Sequence, residues 1–430
     1  MKILFLTTPH PTFRHWQSVE LNAAVLIEAL CGLGHEVSWA TADNINDYDE
    51  ASLKRLTDKG ATWLGDYSSD LVRWPKGGFA RRWTLIKSGV GRAGSDTVQI
   101  RDPKRLANRL LRESGAEIVL LFWDAVFEHL LPHLSVPSVA YLARPPYAAA
   151  QASFETGKDT PTNPIARFLV GRHLAGWRRR HLNRIATATI RTDICALDAA
   201  YYSLAGMPCT YLPNTWPDPI GDGWESARRD AESHNTFPVL GALGLAIASG
   251  TMQGIRFWAT EVLPALDRRM GDEPSWTISV CGRDVDKLPP DILARLDHPR
   301  IVIKGFVDDI DHEVLSSPVF LMCNNAGTYT GGYTRVIYAM ATGACMIAHK
   351  RLADSMPEVR HGENALLGET GEEIAALVEQ AYRDPDLRKH IGRGARKTYE
   401  TEYHPDAIAR RLIECGQNAL SVSQAGETIK

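Results

Sequence analysis

The sequence lacks the features that define several classes of protein. Its seven cysteines are an odd number and include no Cys-x-x-Cys pair, so they indicate buried thiols rather than a disulfide scaffold or a zinc module. No run approaches the roughly 18 apolar residues of a membrane-spanning helix. The apolar run of MKILFLTTPHP ends at once at Pro9 and His10, too early for a secretory signal peptide. These absences predict a cytoplasmic protein.

An excess of charge of one sign is also missing. The chain has 48 Lys and Arg against 51 Asp and Glu, a net charge of -3 at pH 7. Binding a polyanion normally requires a basic excess, so we expect no nucleic acid partner. The composition, with 44% hydrophobic and 23% charged residues, is that of a globular protein. A length of 430 residues predicts two or three domains.

Short apolar runs alternate with helical patterns along the chain. KILFLTT, a helical stretch and HEVSWAT open it as a β-α-β unit, and later runs include AEIVLLFW, PSVAYLA and IATATI (185–190). This alternation predicts a doubly wound α/β domain over residues 1–213. The segment 214–236 is rich in Pro, Gly and charge and is predicted to be a linker. The alternation then resumes and predicts a second α/β domain over residues 237–404.

The most informative stretch is GTYTGGYTRVIYAMATG, residues 327–343, which follows the apolar run VFLMCNN. It predicts a strand, a glycine-rich loop and a helix, an arrangement whose backbone N–H groups favour a phosphate. The loop carries no carboxylate. Its nearest cation is Arg335, which shares a helix face with Tyr338 and can grip a phosphate through two nitrogens. A simple turn and a solvated arginine remain open as alternatives.

Ligands of an open parallel sheet bind outside the carboxyl ends of its strands. The candidates are therefore the residues that follow each apolar run. In the first half they are His10, Arg14, His15, Asp124 and Arg144, and in the second half Ser249, Gly250, Gly282, Arg283, Phe306 and Val307. Asp124 is a candidate base, His15 a candidate catalytic group and Arg335 a candidate for stabilising the charge of a leaving phosphate. Packed or solvated roles stay open for the histidines and for Asp124.

The order of these motifs resembles the two-domain glycosyltransferases of the GT-B fold, in particular family 4. The stretches that carry the resemblance are GHEVSWAT, AGMPCTYLPNTWPD, GIRFWATEVLPAL, ISVCGRD, KGFVDDI and GGYTRVIYAMATGACMIAHKRLADSMPEVRHGENALLG. It reaches from residue 1 to about residue 415. It implies an α/β fold of two facing Rossmann-like domains with a cleft between them. It also implies that the last helix, 405–430, packs back on the first domain through Ile408, Leu412 and Ile413.

The resemblance places the nucleotide-sugar donor in the second domain and the acceptor in the first. It implies the donor-binding residues Ser249, Gly250, Gly282, Arg283, Phe306, Val307, Gly327, Thr328, Thr330, Gly331, Gly332, Tyr333, Thr334, Arg335, Tyr338 and Glu358. The base is expected between the 282–283 and 306–307 loops. His10, Arg14 and Arg144 lie on the implied acceptor side.

This chain departs from the family at several functional positions. Thr330 and Tyr338 stand where the family has two glutamates, eight positions apart, that hold the sugar and the ribose. Ala242 and Gln253 stand in place of an arginine and a lysine that grip the pyrophosphate. Gln17 and Ser18 replace a glycine pair, and Ala143 and Arg144 replace a histidine.

The predicted function is transfer of a sugar from a nucleotide-sugar to a hydroxyl of a glycan, a lipid-linked or a small-molecule acceptor. The resemblance implies retention of configuration, no metal, and no cofactor besides the co-substrate. The triplets at 284–286 and 309–311 look like metal-binding patterns, but such triplets arise often by chance. The alternative is a catalytically inactive, glycosyltransferase-like binding or regulatory partner.

Two basic segments, 73–92 and 171–184, lie in the first half. Tryptophans at positions 74, 83 and 177 are interleaved with their arginines and lysines. A run such as Arg178 to Arg180 is usually a solvated helix face. With the tryptophans, it also predicts an anionic acceptor or peripheral contact with the inner membrane face.

Overall fold

The computed structural model describes most of the chain. The described residues are 1–14, 18–43, 49–73, 98–148, 150–151, 163–231, 237–246, 248–273, 275–324 and 333–428. The chain divides into two compact units, one formed by residues 1–212 with 408–430 and the other by residues 213–407.

The described part of the first unit contains a seven-stranded parallel sheet with the order β3-β2-β1-β6-β7-β8-β9. The strands are β1 (Lys2–Leu6), β2 (Glu36–Thr41), β3 (Thr62–Asp66), β4 (Leu71–Arg73), β5 (Val98–Ile100), β6 (Ile118–Phe122), β7 (Ser138–Leu142), β8 (Ile190–Asp193) and β9 (Thr210–Tyr211). Strands β4 and β5 form a separate antiparallel pair. The helices are α1 (Ser18–Gly32), α2 (Glu50–Asp58), α3 (Pro103–Ser114), α4 (Pro164–Ile185) and α5 (Ala196–Leu204).

The second unit contains a six-stranded parallel sheet with the order β12-β11-β10-β13-β14-β15. Its strands are β10 (Phe237–Leu243), β11 (Trp276–Cys281), β12 (Ile301–Gly305), β13 (Val319–Met322), β14 (Cys345–His349) and β15 (Leu366–Gly368). The helices are α6 (Trp224–Ala231), α7 (Ser249–Phe257), α8 (Leu263–Met270), α9 (Pro290–Leu296), α10 (Ile310–Ser316), α11 (Thr334–Ala341), α12 (Leu352–Ser355), α13 (Gly371–Arg383) and α14 (Pro385–Thr398). The last helix is α15 (Pro405–Thr428).

Continuous apolar runs form the central strands because these strands are buried on both faces. Every residue of β6, β7, β13 and β14 is buried. From α15, Ile408 and Leu412 are buried in the core of the first unit, and Ile413 packs against it. The predicted α/β class is confirmed.

The strand order reverses once in each sheet. In the first sheet the reversal lies between β1 and β6, and in the second between β10 and β13. A crevice forms outside the carboxyl ends of the strands at such a point, and ligands of open α/β sheets bind there. Both candidate sites described below lie at these reversals.

Part of the predicted linker is built into the second unit. Its helix α6 carries Trp224, whose ring occupies the space beside Gly343, where a Cβ would lie 2.3 Å from it. Arg228, on the same helix, is buried and donates to four carbonyl groups. The Pro- and Gly-rich composition of 214–236 gave no sign of these contacts, because the partners lie far away in the sequence.

The strand predicted at 185–190 begins later than the sequence indicated. Helix α4 continues to Ile185, and β8 covers Ile190–Asp193. Arg184 explains the longer helix, because its Nε and Nη2 atoms donate to buried Glu128 at 2.9 and 2.6 Å. This contact joins residues 56 positions apart and leaves no local signal.

Candidate functional site

Residues from three segments meet at the reversal point of the second sheet. They come from β10 with the start of α7, from the end of β13, and from the first turn of α11. They line a small cavity and include Gly241, Gly250, Thr251, Gly254, Asn324 and Arg335. The first turn of α7, which contains Ser249 and Gly250, directs backbone N–H groups toward the carboxyl edge, and Ala248 at its N-cap offers no side-chain acceptor. This arrangement favours an anion.

Arg335 is half-buried rather than a solvated helix residue. Its Nη1 atom donates to the Leu243 carbonyl and to the Thr251 hydroxyl, both at 2.9 Å. These bonds join the start of α11 to the end of β10 and to α7. They hold a permanent positive charge at the strand reversal. Thr251, a buried partner that the sequence did not single out, leaves no local pattern because it is 84 residues away.

Three loops at the carboxyl edge are linked by backbone hydrogen bonds. The N–H groups of Gly244, Ala246 and Gly282 donate to the carbonyls of Cys281, Arg283 and Gly305 at 2.9, 3.0 and 2.6 Å. Gly282 has a φ of 151°, and a Cβ there would lie 1.7 Å from the Gly244 carbonyl oxygen, so the loops approach this closely only with glycine.

The structure therefore brings the 282–283 and 306–307 loops side by side. Arg283 is exposed, Val307 is half-buried, and the Phe306 side chain is 53% exposed. An exposed aromatic ring beside backbone donors and acceptors suits a flat nucleobase. The location of the base between these loops stays a prediction.

Tyr338 and Asp311 form a pair that the sequence did not reveal. Tyr338 is buried, its ring lies 5.8 Å from that of Trp216, and its hydroxyl donates to Asp311 on α10. Burial and this bond to Asp311 raise the pKa of Tyr338, so its hydroxyl stays protonated. Tyr338 thus positions a half-buried carboxylate just after the 306–307 loop. Asp311 had drawn attention only as part of a chance metal-like triplet.

The remaining candidates for donor binding lie at the start of α11, in a separate cavity, or outside the described residues. Tyr333 is buried immediately before α11, and Thr334 is half-buried at its first position. Glu358 lines a separate polar cavity of about 260 Å³, where its Oε2 atom accepts from the Tyr403 hydroxyl at 3.0 Å. Gly327, Thr328, Thr330, Gly331 and Gly332 lie outside the described residues.

In the first unit, the candidates lie around the carboxyl end of β1. His10 is buried with its ring 5.5 Å from that of Trp63, and burial lowers its pKa, which favours the neutral imidazole. Exposed Arg14 pairs with Asp49 at 3.4 Å. Arg144 is half-buried after β7. His15 lies outside the described residues.

Asp124 joins the two sides of the strand reversal in the first sheet. Its Oδ2 atom accepts from the Thr8 hydroxyl, and its Oδ1 atom accepts from the N–H groups of Val126 and Phe127 at 2.6 and 2.7 Å. Burial raises the pKa of Asp124 to about 6. Both oxygens thus already accept bonds from the protein, as expected of a buried cap. The catalytic role proposed from the sequence stays a prediction.

Asp124→Asn distinguishes a structural role of Asp124, as a buried cap, from a catalytic role as a general base. The amide can accept from both N–H groups and donate to Thr8, so we expect a folded variant whose turnover falls less than tenfold. Since the folded-state pKa lies above 3.8, the stabilising contribution of Asp124 is complete below pH 3.8 and is lost as the pH rises through about 6. The variant should lack this loss, on the order of 3 kcal/mol, in denaturation measured across that range. A folded variant with turnover reduced a hundredfold or more would identify Asp124 as a general base.

Among the residues that the structure describes, no group of three or more His, Cys, Asp or Glu is arranged to hold a metal ion. No helix of the described chain is both long and apolar enough to cross a bilayer. Of the two basic segments, 171–184 lies on α4, whereas 74–92 lies outside the described residues.

The second unit resembles a known family of proteins. Residues 238–384 match the family model described as glycosyl transferases group 1. No curated protein sequence matches the chain.

Solved structures of similar fold include Alr3699/HepE of Anabaena in complex with UDP. That structure is 14% identical with a TM-score of 0.62, over 97% of this chain and 100% of that one. Sucrose-phosphate synthase of Thermosynechococcus elongatus is 13% identical with a TM-score of 0.61, over 98% and 99% of the two chains. WaaG, a glycosyltransferase involved in lipopolysaccharide biosynthesis, is 12% identical with a TM-score of 0.51, over 95% and 98%.

These similarities extend over almost the full length of the chain, so they concern both units. At such low identity they show the fold. The family match lies in the second unit, which contains the strand reversal with Arg335. The assignment to family 4 stays a prediction. Residues 238–384 of the second unit match the group 1 glycosyl transferases, and the chain has the GT-B fold.

Proposed function

We propose that the protein transfers a sugar from a nucleotide-sugar to an acceptor hydroxyl, with the donor bound at the carboxyl edge of the second sheet. The observation that carries the proposal is the position of Arg335 at the strand reversal, beside the first turn of α7. The UDP complex of Alr3699/HepE and the group 1 family match support a nucleotide-sugar as the donor.

The chemistry needs positive charge beside the donor phosphates. When the bond from the sugar carbon to the phosphate oxygen breaks, that oxygen gains negative charge, and a preorganised cation stabilises it. Arg335 supplies the charge, and the N–H groups near Ser249 and Gly250 supply donors. In the retaining reaction, the acceptor oxygen bonds to the sugar carbon while its proton passes to the leaving phosphate. No protein nucleophile and no metal is needed in this scheme.

Asp311 adds a carboxylate to the donor site. Neither Thr330 nor Tyr338 carries one, yet the Tyr338 hydroxyl holds Asp311 beside the loop proposed for the base. A half-buried carboxylate held in this way is suited to accept hydrogen bonds from the ribose hydroxyls.

The acceptor is assigned to the first unit, near His10, Arg14 and Arg144. WaaG is involved in lipopolysaccharide biosynthesis, and this supports a glycan or lipid-linked acceptor. The basic surface of residues 171–184 suits such an anionic molecule. We place the enzyme in the cytoplasm, with peripheral contact at the inner membrane face.

The function is tested by melting the full chain with UDP-, GDP-, ADP- and dTDP-sugars. At a concentration a hundred times the Kd, the bound donor should stabilise the unit that binds it by about 2.7 kcal/mol. The donor that raises the Tm should then be turned over with lipid or glycan extracts, which releases the nucleoside diphosphate. Binding without turnover would favour the inactive binding protein. The absence of any shift with all four donors would contradict the proposal.

A further inference from the structure

Helix α4 is fixed to the first unit along one face by a buried polar cluster. Glu128 accepts from His181 Nδ1 at 2.6 Å and from Arg184, and His181 Nε2 lies 2.9 Å from the Tyr202 hydroxyl. Glu128, His181, Arg184 and Tyr202 all lie within the first unit. The cluster therefore sets which face of α4 is turned outward.

A groove runs along α4 next to this cluster. Its volume, about 670 Å³, lies within the range of roughly 300–1,000 Å³ typical of small-molecule sites. One wall is formed by residues spaced three or four apart on α4, and Ala205 and Met207 contribute the other wall. The residues of that wall are Gly171, Leu174, Ala175, Arg178, Arg179, Leu182 and Asn183 on α4 and Ala186 just after its end, and Gln151 completes the lining. Most of these side chains are apolar.

The charged side chains that line the groove are all positive. Helix α4 contains six arginines and no Asp or Glu. Glu128 offsets the charge of Arg184. Arg178 and Arg179 are both exposed and line the groove. An apolar channel beside two guanidinium groups matches a molecule with a hydrocarbon chain and a phosphate.

Exposed apolar side chains lie at two other places on the same part of the unit. Ile165 and Phe168, on the first two turns of α4, are 71% and 62% exposed. Leu204, next to the groove residue Ala205, is 89% exposed. Single exposed apolar residues are common. Here they accompany an arginine-rich helix, which is the composition of interfacial helices that bind anionic bilayers.

We propose that this groove binds an anionic phospholipid of a membrane surface. The lipid phosphate lies between Arg178 and Arg179, and one acyl chain lies along Leu174, Leu182 and Met207. Ile165 and Phe168 enter the bilayer interface. This inference assigns a lipid site, which goes beyond general membrane contact, and it does not require that the protein transfers a sugar.

The test is co-sedimentation of the full chain with vesicles of pure phosphatidylglycerol and of pure phosphatidylcholine. We expect binding to the anionic vesicles only. Arg178→Gln with Arg179→Gln should weaken it about thirtyfold, from the usual contribution of a basic residue near an anionic surface. The matched control is Arg101→Gln with Lys104→Gln, at exposed positions outside the groove, and should have a several-fold smaller effect.

A second pair of variants tests the groove itself without changing charge. Ala175→Gln with Ala186→Gln fills the channel with polar atoms and should weaken vesicle binding at least tenfold, whereas Ala51→Gln, exposed on α2, should leave it unchanged. Monomeric short-chain phosphatidylglycerol should compete for the site. Equal binding by the filled and control variants would overturn the lipid site and leave only surface attraction.

The donor-induced Tm shift serves as an independent readout in the same variants. The groove variants should retain the shift of the unaltered protein, which shows that the second unit is intact, and an unchanged circular dichroism spectrum should show that α4 and the first unit are folded. Loss of vesicle binding with a preserved shift supports the lipid site. Vesicle binding without any donor shift would instead contradict the proposed transferase function and leave the lipid site standing.

Discussion

Arg228→Ala is expected to lower the free energy of unfolding of the second unit by about 3–5 kcal/mol. Arg228 is 7% exposed. Its Nη1 atom donates to the carbonyls of Val314, Leu315 and Ser317 at 3.0, 2.8 and 2.8 Å, and its Nη2 atom donates to that of Thr342 at 3.0 Å. Alanine removes all these donors at once and leaves buried carbonyl groups without them.

The matched control is Arg393→Ala. Arg393, on α14, is exposed and pairs at 3.1 Å with Glu225, which lies on α6 like Arg228. Its removal should therefore cost about 0–1 kcal/mol. Denaturant unfolding of the full chain, followed in parallel by loss of donor binding, reports on the second unit. If the Arg228→Ala and Arg393→Ala variants unfold within 1 kcal/mol of each other, roughly the error of such extrapolations, Arg228 is not the anchor of α6.

Local sequence patterns were sufficient to predict the α/β class. Strands such as β6 and β13 are buried on both faces, and burial on both faces requires an uninterrupted apolar run, which can be recognised without a structure. The residues after each run, such as Gly282 and Arg283, then follow from the position of the strand ends. The GT-B fold was implied by the resemblance of the motifs to a known family, and it was confirmed by the similarity to solved structures.

Contacts between distant parts of the chain could not be predicted in this way. Arg228 lies 114 residues from Thr342, and Arg335 lies 92 residues from Leu243. Nothing in the neighbouring sequence distinguishes such an arginine from a solvated one. Composition was therefore misleading at 214–236, where Pro and Gly predicted a linker but Trp224 and Arg228 are packed into the second unit.

The same limit applies to the candidate site. Asp311 accepts from the hydroxyl of Tyr338, which lies 27 residues away in the sequence, and no local pattern marks this pair. Thr251 likewise accepts from Arg335, which lies 84 residues away. Periodicity reports which face of an element is buried, but it does not report which polar groups meet across elements.

Arg335→Ala is expected to weaken donor binding by about ten- to a hundredfold. A charge-assisted bond to a phosphate is worth about 1.5–3 kcal/mol, and each 1.4 kcal/mol is a factor of ten. The sequence predicts that Thr330 gives the sugar one neutral hydrogen bond, which would contribute about 0.5–1.5 kcal/mol, so Thr330→Ala should cost about tenfold or less. Isothermal titration with the donor found by melting gives both values.

Thr251→Val separates the donor-binding role of Arg335 from its structural role. The valine has nearly the same shape and removes one acceptor of the guanidinium but keeps its charge, so it should lower the stability of the second unit by about 1 kcal/mol with less than threefold loss of donor affinity. Arg335→Ala should lower both the stability of the second unit and the donor affinity. If the two variants lose donor affinity equally, then Arg335 acts by holding α11 in place. If Arg335→Ala and Thr330→Ala both bind the donor normally while folded, the donor does not bind at this strand reversal, and the site assignment is wrong.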